Sequence, residues 1–190
     1  MRVLAIGAHP DDIEIACSGT LAKCVKRGDK VIVCHASTGN LGHVVIPPDE
    51  LTEIRKKEAE KAGSLAGIEV IGGMFNDLDI FDNNKAARDK MVEVIKYAQP
   101  DFIITHNPDD YMPDHTAVSR LVFDASFTAT LPNYKCGGEK AAKLVPIYYM
   151  DTLAGVNFNP TEFVDISDEI DLKIKMLECH ESQLVWMKEH

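Results

Sequence analysis

The sequence lacks the features of a disulfide scaffold and of a membrane-spanning protein. Its cysteines number five, and no two of them form a CxxC pair, so a disulfide framework and a thiolate zinc site are both disfavoured. No apolar run approaches the roughly 20 residues that span a bilayer, and the first apolar run is too short for a signal peptide. We therefore expect a soluble, cytoplasmic protein with no membrane segment.

Positive charge is also scarce. Lysine and arginine total 20 against 30 acidic residues, for a net charge of −10, which disfavours nucleic acid as a partner. The chain has neither GxGxxG nor GxxxxGK[ST] after its first apolar run, so the fingerprints of dinucleotide and P-loop phosphate binding are missing. These absences favour a small-molecule substrate bound by other chemistry.

Short apolar runs alternate with helical patterns along the chain. The runs, which we predict to be strands, lie at residues 3–8, 31–34, 68–71, 102–105, 146–150 and 163–166. The stretches between them predict helices, among them residues 16–28, a helix capped by Asp49 and a closing helix over 169–187. Strands joined by helical crossovers form a parallel sheet covered on both faces. We predict one α/β domain over residues 1–190, a Rossmann-like three-layer sandwich with a mostly parallel sheet.

Polar clusters follow the predicted strands. The stretch GAHPDDIE comes directly after the first strand, and HNPDDYMPDH follows the fourth. In open α/β sheets, ligands bind beyond the carboxyl ends of the strands, so these loops are expected to converge on one rim. Such a group of acids and imidazoles is costly to desolvate unless it is a solvated turn or is held by a cation.

The types of residue in these clusters suit a metal-dependent hydrolase. His9, Asp12 and His115 would provide two imidazoles and a carboxylate, the three-ligand pattern of a catalytic zinc site. Asp11 lies beside the ligands, where it could accept a proton from water. Asp114, the neighbour of His115, is expected to orient that imidazole.

AHPDDIE and the PDH of YMPDH resemble the motifs of the LmbE-like, or PIG-L, deacetylases. The resemblance extends over most of the chain, through ELTEIRKKEAEKA, FNDLDI and an ESQ segment at 181–183. It implies an LmbE-like fold, a bound Zn²⁺ and hydrolysis of the N-acetyl group of an N-acetylglucosamine-type sugar or conjugate. Members of the family often form oligomers, so a homo-oligomer is possible.

The resemblance also assigns roles to individual residues. It makes His9, Asp12 and His115 the metal ligands and Asp11 the general base. It implies that Arg55 and Asp77 contact the substrate. Glu14, the closing acid of the first motif, is expected to support the loop.

Met112 departs from the family pattern, which commonly has histidine at this position to stabilise the tetrahedral oxyanion. Methionine cannot donate a hydrogen bond, and loss of one oxyanion donor typically costs about a hundredfold or more in rate. Tyr111, His43 and His106 are candidate replacements. Otherwise the enzyme is slow or has a different specificity.

Several alternatives stay open from the sequence. The protein could be another C–N amide hydrolase on the same metal site, or a metal- or ligand-binding homologue with weakened catalysis. Two histidines and an aspartate also suit iron(II) or cobalt. Arg55 could be a solvated helix residue and Asp77 a turn former. We expect His35 to be structural, Trp186 to pack or form an interface, and His180 and His190 to lie on the surface.

Overall fold

The computed structural model describes residues 1–138 and 140–189, and nothing is concluded about the side chains of residues 186–189. The expectations for Trp186 and His190 therefore lie outside the described part of the chain.

Five strands form a single parallel sheet in the described chain. They are β1 Arg2–Gly7, β2 Lys30–Ser37, β3 Glu69–Phe75, β4 Phe102–His106 and β5 Ile147–Met150, in the order β3-β2-β1-β4-β5. Every pairing in this sheet is parallel. Their apolar, β-branched sequences suit strands that are buried on both faces. The predicted parallel sheet is confirmed.

Helices cover both faces of the sheet. Their bounds are α1 Asp12–Ala16, α2 Ser18–Lys26, α3 Pro48–Ala66, α4 Lys85–Ala98, α5 Pro113–Thr128, α6 Ile170–Glu178 and α7 Glu181–Glu189. One core cluster joins Leu4 and Ile32 to residues of α4 and α5, such as Met91. The other joins Val3 and Val31 to residues of α2, α3 and α6. Alternate residues of each strand thus face opposite layers, which confirms the three-layer sandwich.

Several predicted boundaries are wrong. Residues 163–166 are described but lie outside the sheet, and Phe163 is 83% exposed, so this segment has no strand to pair with. The predicted closing helix is two helices, α6 and α7, separated at 179–180. The predicted helix over 16–28 divides at Cys17, whose φ of −138° is extended.

The helix α3 begins earlier than Asp49 predicts. Pro47 is its N-cap and Pro48 its first residue, so Asp49 lies in the first turn. Proline suits this position because the amide hydrogen it lacks would have no partner within the helix.

The strand order reverses at β1. From β1 the chain runs through β2 to β3 on one side, then crosses to β4 and β5 on the other. A crevice forms at such a switch point, outside the carboxyl ends of the strands, where ligands of open α/β sheets bind. The loops after β1 and β4, which contain the two polar clusters, both open into it.

Outside the sheet, α6 packs against α3 and α2. This packing supports the proposal that residues 1–190 are one domain. None of the described helices has the length and apolar character needed to cross a membrane.

Candidate metal centre

The loop after β1 is a tight turn that brings its acids back over the strand. Asp11 has a φ of 129°, a conformation that L-residues rarely adopt. Asp12 follows as the first residue of α1, and its Oδ2 accepts the His9 backbone N–H at 2.7 Å. The strained turn therefore aims the Asp12 carboxylate inward, where it is 2% exposed.

The Asp12 carboxylate is surrounded by three imidazoles. Its Oδ2 lies 3.4 Å from Nδ1 of His9 and 3.2 Å from Nε2 of His106, and its Oδ1 lies 3.3 Å from Nε2 of His115. Ligand atoms of His9, Asp12 and His115 all lie within 4.8 Å of one another. The structure thus brings together the three residues predicted as ligands. His115 reaches the site from the first turn of α5, not from a loop as the sequence suggested.

A second carboxylate contacts the far nitrogen of each of these two imidazoles. Nε2 of His9 donates to Oδ2 of Asp114 at 3.0 Å, and Nδ1 of His115 donates to Oδ2 of Asp110 at 3.0 Å. This pairing is typical of metal-binding histidines, because it fixes the tautomer that presents a lone pair to the metal. The expectation that Asp114 orients His115 is wrong: Asp114 orients His9, and Asp110 orients His115.

The donor set fits a divalent cation. Nε2 of His115 is fully buried and has no hydrogen-bond partner among the described residues, as expected for an atom that binds an ion. Two imidazole nitrogens and one carboxylate oxygen match the ligands that zinc takes in catalytic sites.

Electrostatics around Asp12 point the same way. Burial alone would lower the pKa of His9, but hydrogen bonds to Asp114 and Asp12 raise it to about 10. Burial would raise the pKa of Asp12, yet the surrounding imidazoles lower it well below its usual range. The cluster therefore attracts positive charge, which protons supply when no cation is bound.

His106 belongs to this centre, although the sequence favoured a structural role. It ends β4, its ring stacks on His115 with centroids 3.8 Å apart, and it is 2% exposed. Its Nε2 accepts the Ala8 backbone N–H at 2.9 Å, and burial lowers its pKa. A neutral His106 thus fixes the orientation of the His115 ring. Its position as the last strand residue was the signal available in the sequence.

Arg55 contacts the predicted base. Its Nη2 lies 3.1 Å from Oδ2 of Asp11 and also donates to the Pro10 carbonyl, and its Nη1 donates to the Gly39 carbonyl at 3.1 Å. With 2% exposure, the guanidinium is enclosed by the protein and not solvated. Burial raises the pKa of Asp11, and the charge of Arg55 opposes that rise.

Asp77 lies at the same rim, in the loop after β3. Its Oδ2 accepts the Leu41 backbone N–H at 2.9 Å, which joins this loop to the one after β2. Its Oδ1 is buried and has no hydrogen-bond partner among the described residues. Asp77 is also close to His9 and Asp114, with ligand atoms within 4.8 Å of both.

Glu14 lies behind the ligand loop with two histidines. It is 1% exposed, and its carboxylate faces His35 and His180. Nδ1 of His35 donates to the His9 carbonyl at 3.0 Å, so His35 holds the backbone of a predicted ligand. The expectation that His180 lies on the surface is wrong, because it is fully buried.

Met112 is the N-cap of α5, and its backbone N–H donates to Oδ1 of Asp110 at 2.9 Å. Two of the candidate replacements for the usual histidine have other partners. Nδ1 of His43 accepts the backbone N–H groups of Val45 and Ile46, and Nε2 of His106 accepts that of Ala8. Tyr111, which is 50% exposed, remains at the rim.

The fold and the site define an α/β protein with a candidate metal centre at the carboxyl edge of its sheet. The chain belongs to the PIG-L family, described as GlcNAc-PI de-N-acetylase, whose sequence profile matches residues 4–126. That match includes every predicted ligand and the predicted base.

Characterised relatives include two different activities. Diacetylchitobiose deacetylase of Thermococcus kodakarensis is 29% identical over 97% of this chain and 72% of its own length. The 4-oxalmesaconate hydratase of Pseudomonas putida is 27% identical over 95% of this chain and 73% of its own length. Among solved structures, N,N'-diacetylchitobiose deacetylase of Pyrococcus horikoshii has a TM-score of 0.82 at 26% identity, over 95% of this chain and 70% of that one.

Proposed function

We propose that the protein is a zinc-dependent hydrolase that removes the N-acetyl group from an N-acetylglucosamine-type sugar or conjugate. The observation that carries this proposal is the convergence of His9 Nδ1, His115 Nε2 and the Asp12 carboxylate beside Asp11. Membership of a family of de-N-acetylases supports the reaction type.

The metal we propose is Zn²⁺, with Fe²⁺ or another divalent ion as alternatives because the same ligands suit them. When bound, such an ion would supply an activated water and polarise the acyl carbonyl. His9, Asp12 and His115 would hold it, and Asp114 and Asp110 would keep the two imidazoles in the binding tautomer.

Asp11 is the proposed general base. Arg55 contacts its Oδ2, which leaves the other carboxylate oxygen to take a proton from the attacking water. A base with a raised pKa can pass this proton on to the leaving amine more readily than an ordinary aspartate. Arg55 would therefore act by holding Asp11, and direct substrate contact is not required of it.

The oxyanion needs a hydrogen-bond donor that Met112 cannot provide. We propose the hydroxyl of Tyr111 for this role. Partial burial and the nearby charge of Asp110 raise the pKa of Tyr111, so the hydroxyl keeps its proton at neutral pH.

The sugar would be held in part by Asp77. Its Oδ1 is a buried acceptor with no partner in the described chain, at the rim of the site. A sugar hydroxyl can donate to such an atom, and burial makes the contact selective because an unpaired acceptor is costly.

A second candidate is hydration of an unsaturated carboxylic acid. It is favoured by the hydratase relative, which matches nearly the whole chain at an identity close to that of the deacetylase. Metal-activated water is common to both reactions, so the same ligands and the same base would serve.

We also propose the cytoplasm as the site of action. All five cysteines, each within the described chain, are unpaired, and four of them are buried. Unpaired thiols are typical of a reducing compartment.

The proposal is tested by acetate release from N,N'-diacetylchitobiose and N-acetylglucosamine conjugates by zinc-loaded protein. Asp11→Asn should lower kcat by about 10²–10⁴-fold while retaining the metal. Hydration of an unsaturated dicarboxylate without acetate release would favour the second candidate. Metal binding with neither activity would indicate a homologue with lost catalysis.

A further inference from the structure

Behind the metal-binding loop, three buried side chains face one another without direct hydrogen bonds. Glu14 lies on α1, His35 on β2 and His180 between α6 and α7, and none of them is more than 3% exposed. Oε1 of Glu14 lies 3.9 Å from Nε2 of His35, and its Oε2 lies 3.6 Å from Nε2 of His180. Both distances exceed those of a hydrogen bond.

The facing atoms lack other partners. Glu14 Oε2, His35 Nε2 and both ring nitrogens of His180 are buried without a hydrogen-bond partner among the described residues. Native proteins satisfy nearly all buried polar atoms, because an unpaired one loses its hydration without compensation. Four such atoms in one place therefore indicate a ligand that completes their hydrogen bonds.

The chemistry of that ligand follows from the tautomer of His35. Its Nδ1 donates to the His9 carbonyl, so a neutral His35 presents the lone pair of Nε2 to the Glu14 carboxylate. Two acceptors that face each other need a donor between them. Water donates two hydrogen bonds and accepts others, and gaps longer than a direct hydrogen bond are typical of water-bridged groups.

We propose that Glu14, His35 and His180 bind one buried water molecule, and that His180 positions the metal-binding loop through it. The water links His180 to Glu14 and His35, and His35 holds the carbonyl of His9, the proposed metal ligand. The positioning role rests on the proposed function, whereas the water site does not.

The segment that follows His180 is firmly anchored. The backbone N–H and hydroxyl of Ser182 donate to the carboxylate of Glu58 at 2.8 and 2.7 Å. The amide of Gln183 donates to the Gly42 carbonyl at 3.0 Å. These contacts fix His180 relative to α3 and to the loop after β2. A segment beyond residues 4–126, the part that matches the family profile, thus supports the site.

The water site is tested by a high-resolution crystal structure of the metal-loaded protein. We expect one water oxygen within hydrogen-bond distance of Glu14, His35 and Nε2 of His180. A direct hydrogen bond between Glu14 and His180, or a metal ion with an anomalous signal at this position, would overturn the proposal. This outcome does not depend on enzymatic activity.

The positioning role is tested with His180→Leu and His180→Gln, with Glu181→Gln as the matched control. Glu181 is the next residue, and it forms an exposed pair with Lys61 that should contribute little. The measurements are the zinc dissociation constant, from chelator competition, and kcat and KM.

We expect His180→Leu to weaken zinc binding or lower kcat by about tenfold or more, as is typical when a group that supports metal ligands is lost. KM should change much less, because the substrate contacts remain. His180→Gln should recover part of the loss, since its amide can bond to the water. Wild-type zinc affinity and kcat in folded His180→Leu would refute the role. The zinc measurement separates this failure from a failure of the deacetylase proposal.

Discussion

Oδ2 of Asp110 lies 3.0 Å from Nδ1 of His115, and this contact determines that Nε2 of His115 faces Asp12. The other carboxylate oxygen of Asp110 accepts the backbone N–H of Met112 at the start of α5. One side chain therefore both begins the helix that presents His115 and selects the ring nitrogen available to a metal.

Replacement of this carboxylate should weaken metal binding. We expect Asp110→Asn to lower zinc affinity by about 10–100-fold, because the amide holds the binding tautomer of His115 less strongly. Asp109→Asn is the control, since Asp109 is exposed. Chelator competition measures both variants, and equal affinities would show that Asp110 does not support the ligand.

The absent oxyanion donor can be restored. Met112→His should raise kcat on an N-acetylated sugar by about tenfold to a hundredfold, because it introduces a hydrogen-bond donor at the rim. Tyr111→Phe should lower kcat in the wild-type background and have a smaller effect in Met112→His. If Tyr111→Phe has the activity of the wild type, Tyr111 is not the donor.

Arg55 should affect the rate more than substrate binding. Arg55→Lys retains the charge but cannot donate to Asp11, Pro10 and Gly39 at once, so we expect kcat to fall about tenfold or more. KM should change little. Steady-state kinetics would instead show a raised KM with unchanged kcat if Arg55 binds substrate directly.

Gly72 should be intolerant of a side chain. Its φ is 138°, and a Cβ would lie 1.9 Å from the carbonyl oxygen of His35. We expect Gly72→Ala to destabilise the protein by about 3 kcal/mol from combined strain and overpacking. Gly28→Ala is the control, because Gly28 has a φ of 93° with no atom within 4 Å of the added Cβ, and it should cost about 1–2 kcal/mol. Urea denaturation compares the two; equal losses would rule out the clash.

The first half of the site was predictable because its residues are adjacent in sequence. His9, Asp11 and Asp12 share one turn after a strand that the apolar run marks clearly. His115 was placed by the rule that parallel strands end at a common edge, which needs no knowledge of side-chain direction.

The remaining features depend on rotation and depth, which the sequence does not show. Asp110 and Asp114 differ in partner because one precedes α5 and the other lies on its first turn. The burial of Arg55 and His180 depends on how α3 and α6 pack on the sheet. The strand predicted at 163–166 failed because an apolar pattern does not show whether a partner strand is available.

The most direct test of the account is anomalous diffraction at the zinc edge from a crystal of the zinc-loaded protein. We predict a single strong peak within ligand distance of His9 Nδ1, His115 Nε2 and the Asp12 carboxylate, about 2.0–2.2 Å from each. A fully loaded crystal with no peak there, or with its strong peak at other residues, would contradict the metal centre and the mechanism built on it.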